Sequence, residues 1–548
     1  MDSTINQIQP TQVDMINNVL HGRDVDQLPN KPIGVALLGR CYRFSNPPSK
    51  RTFHKGLILF LTFIAYSCYH MARRPLSIVK NVLNRNCSAV HEVPTSHIVS
   101  GIYPYDVNLN YQNSSTWCDW APFNDDATAN QLLAILDSAF LFSYAFFMFF
   151  SGFLADRCNL RYFLSLGMIL SGVMLYAFGM SFYFDIHSMT YFTIVQVISG
   201  AIQTTGWPAV VACLGNWFGP SSRGLVFGIW NSHTNVGNIL GATIAGYFVE
   251  KSWGLSFVIP GLIIAIGGMI IFLFLVPRPE DVGLTPLRCL DENGLKAGSP
   301  PDSPMSTPTS SLPNVALQAN TNRHEPSERA ASFWTALRIP GVVEFSMCLF
   351  FSKLVSYTFL YWLPRYITQS TKNNSENSAY LSTPFDLGGV VGAIVAGMVS
   401  DKTNSSAVTC TAMLLAAIPA MYAYELYASI SEMHNIMLQL VAGALVNGPY
   451  ALITTAVSAN LGNRVKDGRA MATVAAIIDG TGSIGAAVGP LFAGFVSDSG
   501  WQSVFAMLMI SDLLASICLL KVSAREIGRL RFRGKTSKNL DPNHEASA

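Results

Sequence analysis

Three basic residues interrupt apolar stretches of this chain. Arg73 and Arg74 follow the almost wholly apolar run 60–71, and Lys353 stands in the middle of another apolar run. A charge inside a membrane helix is costly, so such residues usually serve function. Snorkelling to the far membrane interface is the alternative for the arginines, and it fits Arg74 better than Arg73. One cation from each half of the chain would suit a doubly charged anion. Phosphate fits because arginine offers a planar fork for two oxygens and lysine a point charge.

Three acids also fall in apolar stretches, namely Asp137, Asp386 and Asp479. They could pair with the cations when no substrate is bound, or they could titrate and couple protons to transport. A hydrogen bond that only packs two helices together is the simpler alternative for each. The sequence leaves these interpretations open.

Polar and aromatic side chains at similar depth could bind the hydroxyl groups of a sugar. We expect the sugar contacts to come from the apolar stretches 189–215, 223–249 and 469–496, which are spans 4, 5 and 11 in the order given below, although none of these side chains is specific alone. The substrate-binding or gating candidates are Tyr144, Asn216, Trp230, Asn231, His233 and Tyr357. The chain has no P-loop, no HExxH motif and no nucleophile elbow, and its ten cysteines show no metal-ligand spacing. We therefore expect no enzyme activity, no cofactor and no metal.

Membrane-spanning helices must position these residues. Of the 548 residues, 50% are hydrophobic and only 12% are charged, about half the charged share of a soluble protein. A span needs about 20 apolar residues. The windows that meet this length are 56–80, 130–154, 160–182, 189–215, 223–249, 254–277, 341–368, 378–400, 407–428, 435–461, 469–496 and 502–521. The sequence thus predicts twelve transmembrane helices in a lipid bilayer.

The twelve windows divide into two groups of six. The first half is 55–278, with a long loop at 81–129, and the second half is 336–522. The polar linker between them, 279–335, is rich in Pro, Ser, Thr and Asn, which predicts disorder. An N-terminal segment, 1–54, and a basic tail, 523–548, flank the two halves. The net charge of +2 and the absence of a basic stripe indicate no nucleic-acid partner.

The two halves repeat one another. Six residues recur at a constant offset of 248 positions, as between Gly237 and Gly485 or Gly241 and Gly489. Parallel repeats of six spans are typical of major facilitator transporters. Small residues let helix backbones approach closely in lipid, so we expect these glycines to serve packing rather than substrate contact.

The distribution of Lys and Arg predicts that both termini are cytosolic. The loop 81–129 would then be luminal or extracellular, which makes glycosylation sites of its sequons at Asn86 and Asn113 and of a third at Asn373. A disulfide between Cys87 and Cys118 is allowed on that side, and free thiols are the equal alternative.

Two motifs resemble the organophosphate:phosphate antiporter family of the major facilitator superfamily. One is Tyr69-His70-Met-Ala-Arg73-Arg74 in span 1; the other begins at Gly206-Trp207-Pro208 and continues through Gly228-Ile-Trp230-Asn231-Ser-His233. The resemblance covers nearly all of 55–525 and is nearest to the eukaryotic sugar phosphate exchangers.

This resemblance implies an all-α fold in two pseudo-symmetric six-helix halves and antiport of glucose 6-phosphate against inorganic phosphate. It further implies a multi-pass protein of the endoplasmic reticulum membrane. Arg73 matches the family's phosphate-binding arginine of span 1, and Arg74 matches its basic neighbour. Tyr144 matches a tyrosine of span 2, and Asp386 matches an acidic position of span 8.

The chain departs from the bacterial members at three positions. Met148 stands where they carry a lysine, and Asn216 stands where they carry a histidine, which puts their style of coupling in doubt. Their second arginine, in span 7, aligns with Ser356. Lys353 lies one helical turn from Ser356 on the same face and would replace that arginine.

Two other functions fit the same sequence. A proton-coupled organic-anion transporter would use Asp137 or Asp479. A non-transporting membrane accessory protein would account for the long loop, the linker and the tail, but it would have no need of Arg73 and Lys353 in lipid.

Overall fold

A computed structural model of the protein describes residues 31–41, 47–84, 120–155, 157–218, 230–285, 333–371, 373–462 and 471–539. These residues are almost entirely helical, and they contain no β-strand. The sequons at Asn86 and Asn113, the cysteines Cys87 and Cys118, and linker positions 286–332 lie outside them.

Six helical spans form the N-terminal half. Spans 1 and 4 are each made of two consecutive helices. The spans are Pro47–Arg73 with Pro75–Leu83, Ala129–Ala155, Leu160–Tyr183, Met189–Gln203 with Gly206–Trp217, His233–Val249, and Leu255–Phe274. A short helix, Ile33–Cys41, precedes them.

Six more spans form the C-terminal half. They are Val342–Ser370, Ser375–Leu381 with Thr383–Thr403, Ser406–Tyr427, Glu432–Leu452, Met471–Val496 and Trp501–Asn539. Among the described helices, 11 are long and apolar enough to cross a membrane. This count is one lower than the expected twelve because span 5 is not included. The described part of span 5, His233–Val249, has only 17 residues, and its predicted start lies outside the described ranges.

Span 1 is longer than the sequence predicts. It continues to Leu83 after a break in the helical hydrogen bonding at Arg74, because Pro75 has no backbone N–H to donate. Both arginines therefore lie within the span and are buried, with Arg73 6% and Arg74 1% exposed. The expectation that one of them snorkels to the far interface was wrong.

Two predicted boundaries also shift. The final helix continues to Asn539, well past the predicted end of span 12 at 521. At the start of the linker, 279–285 is ordered against the N-terminal half, where Lys50 Nζ donates to the carbonyl of Val282 (2.6 Å) and Leu284 is buried.

The repeated glycines pack helix against helix at equivalent places. A Cβ atom on Gly237 would lie 2.4 Å from the carbonyl oxygen of Ser67 in span 1, and one on Gly485 would lie 2.0 Å from that of Phe350 in span 7. Both distances are too short for any side chain. Span 5 therefore packs on span 1 as span 11 packs on span 7, which confirms the packing role.

The halves join at one end of the bundle, the end that holds Leu83 and Ser375; we call it the closed end. Two of the four apolar clusters of described residues lie there, and each includes residues of both halves. One joins Ala379 of the C-terminal half to residues of the N-terminal half, and the other joins Ala134 of the N-terminal half to residues of the C-terminal half. The other two clusters contain residues of a single half. The structure therefore has its halves packed together at the closed end.

Candidate functional site

A cavity lies between the two halves, and we call it the central cavity. Spans 1, 2, 4 and 5 line it from one half and spans 7, 10 and 11 from the other. Six of the residues that the sequence singles out line it together: Arg73, Tyr144, Asn231, Lys353, Tyr357 and Asp479.

Arg73 contributes a cation with spare hydrogen-bonding capacity. Its Nε donates to Gln203 Oε1 (2.9 Å), and its guanidinium lies over the ring of Tyr144, 4.6 Å from the ring centre. Its buried Nη2 has no acceptor within hydrogen-bonding distance among the described residues. Because a buried charged donor without a partner is costly, this group is suited to an anion in the cavity.

Lys353 contributes the second cation, but it is already paired. Its Nζ lies 2.8 Å from Asp479 Oδ1 and 5.5 Å from the centre of the Tyr450 ring. The Asp479 side chain is 20% exposed, so the pair borders open space. Two cations and one carboxylate leave the central cavity with a net positive charge.

The repeat explains where Lys353 stands. Because Gly237 meets Ser67 and Gly485 meets Phe350, span 1 corresponds to span 7 at an offset of 283 (350 minus 67). Arg73 then corresponds to 356, a serine, and Lys353 corresponds to 70, a histidine that also lines the cavity. Lys353 therefore lies one turn away from the position symmetrical to Arg73.

Arg74 does not line the central cavity, although the sequence pairs it with Arg73 for phosphate. It donates to the backbone carbonyl of Leu360 and to Ser382 Oγ (3.0 Å), and its Nη2 lies 3.7 Å from Asp386 Oδ2. All three partners belong to the C-terminal half. The structure thus places Arg74 in a contact between the halves.

Two buried cations that the sequence analysis missed also join the halves. Lys80 pairs with Asp137 and lies over the ring of Trp362, 4.1 Å from its centre. Arg365 donates to Asn130 Oδ1 (2.8 Å), to Asn84 Oδ1 (2.7 Å) and to the carbonyl of Lys80 (3.2 Å). We call these contacts, with those of Arg74, the inter-half latches.

Four other candidates lie away from the central cavity. Asn216 donates to the carbonyl of Pro277 (3.1 Å), and Trp230 donates to Thr62 Oγ1 (3.2 Å). His233 is fully buried among aromatic rings, with its ring centre 4.2 Å from that of Trp230. These three side chains serve the packing of the N-terminal half. Asn373 lies near the closed end, where its Nδ2 donates to Thr371 Oγ1 (3.1 Å).

No group of three or more metal-binding side chains lies close together in the described part of the chain.

Comparison with known proteins gives a consistent result. A family model described as the Major Facilitator Superfamily matches residues 98–430 and 374–546. The glucose-6-phosphate exchanger SLC37A2 of Mus musculus is 49% identical over 87% of this chain and 94% of its own length. The glucose-6-phosphate exchanger SLC37A1 of Mus musculus is 44% identical over 90% of this chain and 97% of its own length.

A solved structure shares the fold. It is a bacterial homolog of the human lysosomal transporter Spinster in an inward-facing, unoccupied conformation. It superposes with a TM-score of 0.56 over 87% of this chain and 97% of its own, at 15% sequence identity.

Proposed function

This chain belongs to the major facilitator superfamily, in its sugar phosphate exchanger branch, and we propose that it exchanges glucose 6-phosphate for inorganic phosphate across a membrane. The similar proteins named glucose-6-phosphate exchangers support this substrate. The observation that carries the proposal is the unpartnered Nη2 of Arg73 in a cavity that Lys353 also lines. Both substrates carry the phosphate group that such a pair would bind.

Strict exchange follows from the charge of the central cavity. Without a substrate, Arg73 keeps an unpaired donor in low dielectric, which raises the free energy of an empty, closed cavity. Lys353 has Asp479 as its partner in that state, so Arg73 supplies most of the penalty. A bound phosphate removes the penalty. The carrier would therefore reorient only when it is loaded.

Reorientation would proceed by rocking of the two halves. The inter-half latches close one end of the bundle in this conformation, and the central cavity would open toward the other end. In our proposal the closed end faces the lumen of the endoplasmic reticulum and both termini lie in the cytosol. Opening toward the lumen then requires Arg74 and Arg365 to exchange their partners and Lys80 to move away from Trp362.

Transport by purified protein tests the proposal. Vesicles that contain the protein are loaded with phosphate, and uptake of labelled glucose 6-phosphate is measured. We expect uptake that requires internal phosphate and is lost in Arg73→Ala, but not in Lys402→Ala, which removes an exposed cation. Uptake without internal phosphate, or uptake that survives Arg73→Ala, would contradict exchange at this site.

Asp479 favours a second candidate, a proton-coupled transporter of organic anions. Its partly exposed carboxylate borders the central cavity. This function predicts that a pH step alone drives uptake into vesicles without internal phosphate and that Asp479→Asn abolishes it.

A further inference from the structure

A second cavity adjoins the central cavity, and we call it the amide cavity. The two cavities share the lining residues His70, Thr234, Tyr357 and Tyr450. Spans 1 and 5 line the amide cavity from the N-terminal half, and spans 7, 8 and 10 line it from the C-terminal half. Its remaining polar residues are Asn235, Asn238, Ser356, Asp386 and Asn447.

Two of its buried amides offer groups without a partner. Asn447 accepts a hydrogen bond from Ser356 Oγ (2.6 Å), and its Nδ2 has no acceptor among the described residues. Asn238 donates to Asp386 Oδ1 (2.9 Å), and its Oδ1 has no donor within hydrogen-bonding distance there. Each residue is at most 5% exposed. The cavity thus presents one spare donor and one spare acceptor from opposite halves.

Gly389 makes room for this arrangement. A Cβ atom at this position would lie 2.8 Å from Asn447 Nδ2 and 2.9 Å from Asn235 Oδ1. Even a methyl group would therefore displace two amides that approach from opposite halves. The position has an ordinary helical backbone in span 8, so close approach, rather than backbone conformation, requires glycine here.

We propose that the amide cavity binds the sugar ring of the sugar phosphate while the phosphate group lies at Arg73 in the central cavity. This inference rests on the proposed function and locates the polyhydroxyl part of its substrate. A hydroxyl group both donates and accepts, which matches the spare Nδ2 of Asn447 and the spare Oδ1 of Asn238. The sequence predicts sugar contacts on spans 4, 5 and 11, whereas this proposal places them on spans 5, 7, 8 and 10.

The two cavities divide the substrates between them. Inorganic phosphate has no sugar and would use the central cavity alone, whereas a hexose phosphate would use both. Replacing an amide that hydrogen-bonds a sugar hydroxyl leaves that hydroxyl unpaired in the bound state, so it weakens binding of the sugar phosphate but not of phosphate. Substitutions in the amide cavity should therefore separate the two substrates.

The experiment compares two exchange reactions in the same vesicles. Labelled phosphate is exchanged against internal phosphate, and labelled glucose 6-phosphate is exchanged against internal phosphate. For Asn447→Leu and for Gly389→Ala we expect glucose 6-phosphate uptake to fall by about tenfold or more, with phosphate-for-phosphate exchange close to wild type. Gly397→Ala is the matched control, because a Cβ there meets no atom within 4 Å.

Thermal unfolding of the purified variants provides an independent measurement. Phosphate should raise the Tm of the wild type, of Asn447→Leu and of Gly389→Ala by the same amount. Added glucose should not reduce any of these increases in Tm. Glucose 6-phosphate should stabilise the wild type more than the two variants. Equal losses of both exchange reactions, or no loss of either, would overturn the sugar assignment. Wild-type protein that exchanges phosphate for phosphate but never takes up glucose 6-phosphate would instead refute the proposed substrate, and protein with no phosphate exchange would refute the proposed function itself.

Discussion

Lys353 of span 7 and Asp479 of span 11 form an ion pair of 2.8 Å within one half of the protein, at the border of the central cavity. The two residues lie 126 positions apart in the sequence and meet because the glycines of span 11 let it pack closely on span 7. The lysine is therefore neutralised before any substrate arrives, and the carboxylate lies beside the place where an anion would bind.

This pair predicts a rescue. Lys353→Ala leaves Asp479 uncompensated beside the anion, so we expect phosphate exchange to fall by about tenfold or more. Adding Asp479→Asn to that variant removes the repulsion and should restore part of the rate. The measurement is phosphate-for-phosphate exchange by both variants and by Asp479→Asn alone. A double variant no better than Lys353→Ala would show that repulsion by Asp479 does not limit binding.

Arg73→Lys tests the geometry of the phosphate contact. Lysine keeps the charge but loses the planar fork and the bond from Nε to Gln203. We expect the KM for phosphate to rise by about tenfold, on the order of 1.4 kcal/mol in binding. The concentration dependence of phosphate exchange measures it. An unchanged KM would mean that Arg73 acts only as a point charge.

Arg365→Ala tests the inter-half latches. It removes three hydrogen bonds to the N-terminal half, each worth about 1.5–3 kcal/mol when one partner is charged. We expect the closed end to open more often. A cysteine at Ala379, which is fully buried there, should then react faster with an impermeant maleimide added on that side. The same cysteine with Lys402→Ala is the control, and equal labelling in the two would count against the latch.

Gly485→Ala tests the close packing of spans 7 and 11. Its added Cβ would lie 2.0 Å from a backbone oxygen of span 7, so the helices must separate, at a cost of about 1–3 kcal/mol. Thermal unfolding in detergent should show a lower Tm than for wild type. Gly152→Ala, where a Cβ meets no atom within 4 Å, should leave the Tm unchanged. Equal Tm values for both variants would contradict the packing.

The orientation can be tested through the loop 81–129. If that loop is luminal, glycosidase treatment should increase the gel mobility of the wild type. Asn86→Gln combined with Asn113→Gln should remove most of that change, since Asn373 lies in a short turn at the closed end with its amide already bonded. No change for the wild type would leave the luminal placement without support.

The sequence was sufficient to predict the two halves and half of the residues that line the central cavity. Ionisable residues in apolar runs are rare, so Arg73, Lys353 and Asp479 could be recognised without a structure. The rotational position of each helix could not be deduced in the same way. Trp230 and His233 share a motif with Asn231, yet only Asn231 lines the central cavity while the other two face the core.

The sequence analysis missed Lys80 and Arg365 because both cations lie near the predicted ends of spans. Lys80 ends the predicted window of span 1, and Arg365 falls near the end of that of span 7. Long basic side chains at such places usually reach the membrane interface. Only the contact of the two halves places both residues in the interior. The pairing of Arg74 with Asp386, 312 positions apart (386 minus 74), likewise depends on which helices become neighbours.

The break at Arg74 has a mechanical consequence. Arg73 ends the first helix of span 1 and lines the central cavity, whereas Arg74 precedes Pro75 and contacts the opposite half. One peptide unit therefore connects the residue that we propose to bind phosphate with a residue that holds the two halves together. In the proposed function, a displacement of Arg73 by bound phosphate would be transmitted directly to Arg74. Substrate binding and the contact between the two halves would thus be coupled without a longer chain of intervening residues.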